Sequence, residues 1–171
     1  LDISGQNCLI FGAGGAASAV TYAMAREGAT RVTICNRTVA RGEKLKNHLL
    51  SSFPEMEAEA VPLQKKTVSP KIREAKLIVN ATPVGTGSDS GNSIWKEKED
   101  FLKNHILYDL VYNPTETKFL KIGKERGART ISGLDMLIAQ GVKSFQLWRG
   151  ESIEIDPLIS ELRRYFEQEV L

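Results

Sequence analysis

The sequence predicts an α/β domain: an open, doubly wound parallel sheet in the order 3-2-1-4-5-6, followed by a C-terminal helical return segment. Three observations predict it. Short apolar runs alternate with helix-forming runs from Asn7 to Ile131. The first apolar run breaks abruptly into Gly12-Ala13-Gly14-Gly15, and an alanine-rich stretch follows. The run ending in Leu77-Ile78-Val79 is apolar on both faces, as strands of a parallel sheet are.

Asn7 to Phe11 reads as the first strand, and Ala16 to about Glu27 as a helix closed by Gly28. Arg31 to Cys35 alternates into a second strand. Strand, glycine turn, helix and strand over this span match a dinucleotide-binding βαβ unit, the opening of a Rossmann-like fold. Gly12 allows the tight turn off the strand, and Gly14, lacking a Cβ, lets a pyrophosphate approach the backbone. Amides at the start of the helix then face negative charge, and Ala17 is the small residue that permits close packing on the sheet.

The second strand ends in Asn36-Arg37-Thr38, where an NAD-binding unit usually carries an acid for the ribose 2′-hydroxyl. A carboxylate would repel a 2′-phosphate, whereas Arg37 offers it a planar fork of donors. Thr38 reads as the N-cap of the next helix. Arg41 falls in that helix's first turn, where a cation opposes the dipole by about 0.3–1 kcal/mol. A merely solvated Arg41 is the plain alternative. Beside Arg37, the pair reads as a 2′-phosphate clamp, which favours NADP over NAD.

Thr38 to about Ser51 is the second helix, with Leu45 and Leu49 on one face. Glu57 to Val61 alternates into a third strand, placed at the edge by its polarity and by Pro62. Lys65 to Glu74 contains a short helix with Pro70 in its first turn, and Ala75 to Val79 is the fourth strand. It ends in Asn80-Ala81-Thr82-Pro83-Val84-Gly85, at the carboxyl edge where open α/β sheets hold ligands. Asn80 and Thr82 suit either a ligand contact or ordinary turn chemistry, and spacing alone does not choose.

Thr86 to Ser93 is expected to be a mobile loop, and Trp95 to Lys103 a short polar helix or turn. Ile106 to Val111 is the fifth strand, Thr115 to Arg126 an amphipathic helix stopped by Gly127, and Arg129 to Ile131 the sixth strand. Ser132-Gly133 opens a long helix, Leu134 to about Trp148, in which Gln140 reads by default as an ordinary helix glutamine. Asp156-Pro157 starts a last helix to about Val170, with an apolar stripe of Leu158, Ile159, Leu162, Tyr165, Phe166 and Val170. The sheet is complete before this helix. Part of the stripe is therefore expected to need a partner outside the chain, or to form a homodimer.

The 171 residues suffice for one sizeable core, and a net charge of +2 with interspersed signs points to no nucleic-acid partner. No apolar run is long enough to span a bilayer. Cys8 and Cys35 fall in buried strands and read as reduced core thiols, which suits the cytoplasm. His48 and His105 have no ligand partners at metal-binding spacing, so no metal site is expected. The chain begins Leu1-Asp2-Ile3-Ser4-Gly5, already entering the first strand, as a chain cut at a domain boundary would.

Several separate motifs together resemble the shikimate dehydrogenase family: GAGGAA at Gly12, NRT at Asn36, NATPVG at Asn80, DLVYNP at Asp109 and GLDMLIAQG at Gly133. The last two are far more specific than a glycine loop, and the resemblance runs from about Ser4 to Val170. It implies reversible NADPH-dependent reduction of 3-dehydroshikimate to shikimate. Carried over by motif, Gly12, Ala13, Gly14, Gly15 and Ala16 would bind the cofactor pyrophosphate, and Asn36, Arg37, Thr38 and Arg41 the 2′-phosphate. Thr82 would lie near the cofactor, with Leu110 and Gly133 beside the nicotinamide. Tyr112 and Gln140 would contact the substrate, which moves Gln140 towards function.

The same resemblance implies an N-terminal substrate domain bearing the catalytic lysine and aspartate, which these residues do not include, so no residue here is assigned as catalytic. Residues 1–132 are then the NADP-binding domain, and 133–171 the helices returning towards the substrate domain. The chain alone is expected to bind NADP(H) without turning over shikimate. Three alternatives stay open: a dehydrogenase that also accepts quinate, a non-catalytic NADP-binding regulatory module, and one segment of a multifunctional shikimate-pathway polypeptide.

Overall fold

The computed structural model of the chain describes residues 1–150 and 155–169. Its sheet has six strands: β1 (Asn7–Phe11), β2 (Arg31–Asn36), β3 (Glu57–Pro62), β4 (Leu77–Asn80), β5 (Ile106–Asp109) and β6 (Arg129–Ile131). They run parallel in the expected order 3-2-1-4-5-6. The helices are α1 (Gly15–Arg26), α2 (Val39–Ser52), α3 (Lys65–Glu74), α4 (Lys118–Glu125), α5 (Leu134–Arg149) and α6 (Ile155–Glu169).

β1 is the middle of the fold, with Cys8 registered against Val32 of β2 on one side and Leu77 of β4 on the other. Its side chains alternate between the two faces of the sheet. Cys8 and Ile10 pack with Ala17 and Met24 of α1 and with Leu45 and Leu49 of α2. Leu9 and Phe11 pack with Val68 and Ile72 of α3 and with Phe119 and Leu120 of α4. Each such aliphatic or aromatic side chain contributes about 1.5–3 kcal/mol by leaving water. Both faces of β1 are thus covered, which is why its sequence is an unbroken apolar run.

Several boundaries differ from those read in the sequence, each for a local reason. β4 begins at Leu77 because Ala75 is still the C-cap of α3, its amide bonded to the Ile72 carbonyl. Pro70 stands well inside α3 rather than in its first turn. It is exposed there, and it has no amide to offer the Lys66 carbonyl one turn earlier. β5 stops at Asp109 because its carboxylate captures the Val111 amide at 3.0 Å. α4 starts at Lys118, not Thr115, since Thr117 is the N-cap and its hydroxyl accepts from the Leu120 amide. The segment expected to be a short polar helix or turn holds one 3₁₀ turn, Lys98–Asp100, and buries Trp95 and Phe101 in the core.

The apolar stripe of the last helix also differs from expectation. Leu158, Ile159, Leu162 and Phe166 pack against Leu134, Ile138 and Val142 of α5, so that much of the stripe is covered within the chain. An ion pair between Arg163 and Asp135 joins the same two helices. Val170 lies outside the described residues. Tyr165 of the stripe stays 56% accessible, and the end of α5 is exposed as well, with Phe145, Leu147 and Trp148 at 45%, 74% and 82%.

Candidate functional site

A cleft of about 480 Å³ opens at the carboxyl ends of β1, β2 and β4. Its floor is the Gly12-Ala13-Gly14 turn. Gly12 has a φ of +111°, and a Cβ there would sit 2.9 Å from the Ala81 carbonyl oxygen. Glycine is therefore required twice over, by backbone angle and by the approach of the chain leaving β4. At Gly14 a Cβ would meet nothing within 4 Å, so that position opens onto free space. Gly14 caps α1 without a side-chain hydrogen bond, and no acid lies in the first turn. The leading amides of α1 thus have no intrahelical acceptor, at the positive end of the helix. Gly15 and Ala16 are exposed in that first turn, beside the cleft rather than in its lining.

One wall comes from the end of β2. Asn36, Arg37 and Arg41 all line the cleft, and both arginines are exposed with no ion-pair partner among the described residues. Thr38 occupies the N-cap position of α2, but its side chain makes no capping bond. The turn is braced from the other direction: Asn36 Nδ2 donates to the Thr38 carbonyl at 2.9 Å. Thr38 does not line the cleft. No acid stands at the end of β2 or in the first turn of α2.

The opposite wall is the turn after β4, Ala81 to Val84. Asn80 Oδ1 accepts from both the amide and the hydroxyl of Thr82, at 3.0 and 2.7 Å. Asn80 Nδ2 donates to the Val84 carbonyl at 3.1 Å and to Asp109 Oδ1 at 2.9 Å. Asp109 also accepts from the Val111 amide and, at 2.6 Å, from the Thr117 hydroxyl. It is fully buried. Burial raises its pKa, and the bonds from Thr117, Val111 and Asn80 only partly offset that. Its place in the DLVYNP motif gives Asp109 no role by itself; an acid ending an apolar strand is the signal for one.

The remaining wall, Ser93 and Ile94, is also missed by sequence reading. It is held by Trp95, which stacks on Phe11 with centroids 6.0 Å apart and donates from Nε1 to Asp100 at 3.1 Å. Asp100 in turn receives Ser69 and Arg73, at 2.6 and 2.7 Å. A tryptophan in an otherwise polar stretch was the signal for this anchor.

Leu110 and Gly133 are brought together but lie outside the cleft lining. A Cβ on Gly133 would fall 2.3 Å from the Leu110 carbonyl oxygen, and the Gly133 amide bonds to the Val111 carbonyl. Tyr112 and Gln140 are exposed, and neither lines the cleft. Among the described residues no group of three or more His, Cys, Asp or Glu is arranged to hold a metal ion. No described helix is long and apolar enough to cross a membrane. Cys8 and Cys35 are free and buried, and burial pushes both thiols up to about 12.

Comparison with known proteins adds independent weight. Residues 1–93 match the family described as shikimate / quinate 5-dehydrogenase, and residues 133–163 match the shikimate 5′-dehydrogenase C-terminal domain. A relative from Halothermothrix orenii, named shikimate dehydrogenase (NADP(+)), is 36% identical over 154 residues, covering 90% of this chain and 53% of that protein. The crystal structure of the Listeria monocytogenes shikimate 5-dehydrogenase, in complex with shikimate and NAD, superposes with a TM-score of 0.85 at 31% identity, over 94% of this chain and 57% of that one. The Thermus thermophilus enzyme, in complex with NADP(H) and shikimate, gives 0.73 at 36% identity, over 92% and 54%. The chain spans about half the length of the curated relatives it matches. Its motifs, the order of its sheet and the match over residues 1–93 lead to one conclusion: the chain belongs to the shikimate/quinate 5-dehydrogenase family.

Proposed function

We propose that the cleft binds NADP(H), and that the chain is the cofactor-holding part of a shikimate dehydrogenase that reversibly reduces 3-dehydroshikimate to shikimate. One observation carries the cofactor reading. Two unpaired arginines, Arg37 and Arg41, share a cleft with the acid-free, uncapped N-terminus of α1. That arrangement suits a diphosphate at one end and a 2′-phosphate at the other. The relatives' name, shikimate dehydrogenase (NADP(+)), supports the same choice.

The residues present fit such a cofactor. Gly12, Ala13, Gly14, Gly15 and Ala16 would hold the pyrophosphate through backbone amides, the open space at Gly14 admitting it. Arg37 and Arg41 would take the 2′-phosphate, with Asn36 and Thr38 shaping the turn that presents them. Thr82 would border the cofactor from the opposite wall. Leu110 and Gly133 would flank the nicotinamide, supported by the tight packing of one backbone on the other. Tyr112 and Gln140, both exposed and able to donate and accept, would meet the hydroxyl and carboxylate groups of the substrate. The bound cofactor supplies a hydride for a ketone carbon. This chain's residues bind it, orient it and present one wall to the substrate. Residues 1–132 form the cofactor unit, and 133–171 lead towards a substrate domain. The lysine and aspartate that handle the proton belong to that domain, beyond these residues.

Titration of the chain with NADPH and NADH tests the reading. NADPH should bind tighter in the wild type, and Arg37→Ala should bring it down towards the NADH value. Equal affinities in the wild type would sink the clamp. The family description also covers quinate. Turnover of shikimate against quinate, measured in a protein that carries the substrate domain, decides between a strict and a broader enzyme.

A further inference from the structure

Asp109 is fully buried beside the cleft, and its three donors are all neutral: Asn80 Nδ2, the Val111 amide and the Thr117 hydroxyl. Among the described residues it has no cation partner, and hydrogen bonds from neutral donors only partly offset the cost of burying it. Its bonds reach three separate segments. The Val111 bond ends β5 and starts the chain towards Tyr112. The Thr117 bond orients the hydroxyl that caps α4. The Asn80 bond does more, because it sets which way an amide points. With Nδ2 held between Asp109 and the Val84 carbonyl, Oδ1 is left facing Thr82, where it receives both the amide and the hydroxyl. Thr82 Oγ1 then accepts from the Val84 amide at 3.3 Å. The chain of bonds runs unbroken from the buried carboxylate to the cleft wall.

We infer that Asp109 is a positioning residue for the cofactor cleft, its carboxylate fixing the Thr82–Val84 wall through the orientation of Asn80. The inference rests on the NADP(H) reading of that cleft.

The test is a set of NADPH dissociation constants on the 171-residue chain, each paired with a melting temperature. Asp109→Ala strips the acceptor from three donors and should weaken NADPH about tenfold. Asp109→Asn keeps an oxygen for Asn80 and Val111 and turns its NH₂ to the Thr117 hydroxyl, so it should restore affinity to within about threefold of wild type. In a Thr82→Ala background, where the wall is already loosened, Asp109→Ala should lose most of its effect. In an Arg37→Ala background, on the other wall, its full effect should remain. Should Asp109→Ala not fold, Asn80→Ala cuts the same link and should give the same tenfold loss. Wild-type affinity in Asp109→Ala alongside a lowered melting temperature would overturn the inference, reducing Asp109 to a core residue. Full additivity with Thr82→Ala would overturn it as well. Failure of the wild type to bind NADPH at all would instead bring down the cofactor reading, and this inference with it.

Discussion

Replacing Arg41 by alanine is expected to stabilise the folded chain while weakening its hold on NADPH. Arg41 is the third residue of α2, exposed, in a first turn without an acid. A cation there opposes the helix dipole, so removing it returns about 0.3–1 kcal/mol, towards the lower end because solvent screens the site. For a chain of this length that is a rise of about 1–3 °C in melting temperature. The binding side has the opposite sign. A charge-assisted bond to phosphate contributes about 1.5–3 kcal/mol, and exposure again selects the lower end, or roughly tenfold in NADPH affinity. NADH has no 2′-phosphate and should bind unchanged. Raising the salt should shrink the NADPH difference, since the Debye length falls from about 10 Å at 0.1 M to about 3 Å at 1 M. Fluorescence titration and thermal melts on the same two proteins read both effects. A lower melting temperature would refute the dipole argument, and equal losses for NADPH and NADH would refute the assignment of Arg41 to a phosphate clamp.

Two glycines should separate binding from folding. Gly14→Ala meets nothing within 4 Å, so stability should stay within about 0.5 kcal/mol while NADPH binding falls several-fold; unchanged binding would mean no phosphate approaches that backbone. Gly133→Ala drives a Cβ to 2.3 Å from the Leu110 carbonyl oxygen and should cost about 1–3 kcal/mol, seen as a lower urea midpoint at unchanged slope. Cys8 and Cys35, each 1% accessible with a thiol pushed up to about 12, should resist a thiol reagent at pH 8 until denaturant is added. Prompt labelling of the native chain would show that β1 or β2 opens readily. Self-association, if it occurs, should run through the end of α5, so Leu147→Glu with Trp148→Glu should give a monomer by light scattering. A wild-type monomer would remove the expectation of a dimer altogether.

The sheet was legible because its signals are local. β1 is apolar on both faces, its exit needs a glycine, and Arg37 stands where an acid usually does. The order of the strands then followed from the alternation of strand and helix. What stayed hidden depends on partners far apart in the chain. Nothing near Asp109 announces that it meets Asn80 across the β4–β5 pair and Thr117 at the head of α4. Nothing near Trp95 announces that it stacks on Phe11. The stripe on α6 is legible as apolar, but a stripe does not name its cover, and here α5 supplies much of it. Thr38 shows the same limit at short range. Residue type and position both suit an N-cap, yet the hydroxyl makes no such bond and Asn36 braces the turn instead.

The central place of β1 also bears on how the chain comes together as it is made. β1 can pair with β2 soon after both leave the ribosome, but its other edge waits for β4, which follows only after β2, α2, β3 and α3. At about 5–20 residues per second, that edge stays open for several seconds. Leu9, Ile10 and Phe11, all fully buried in the finished fold, stand in water-facing backbone during that interval. An unpaired apolar edge is a template for strands of other nascent chains. Slowing synthesis between Pro62 and Leu77 should therefore lower the yield of native chain more than the same delay after Asp109, when both edges of β1 are already paired.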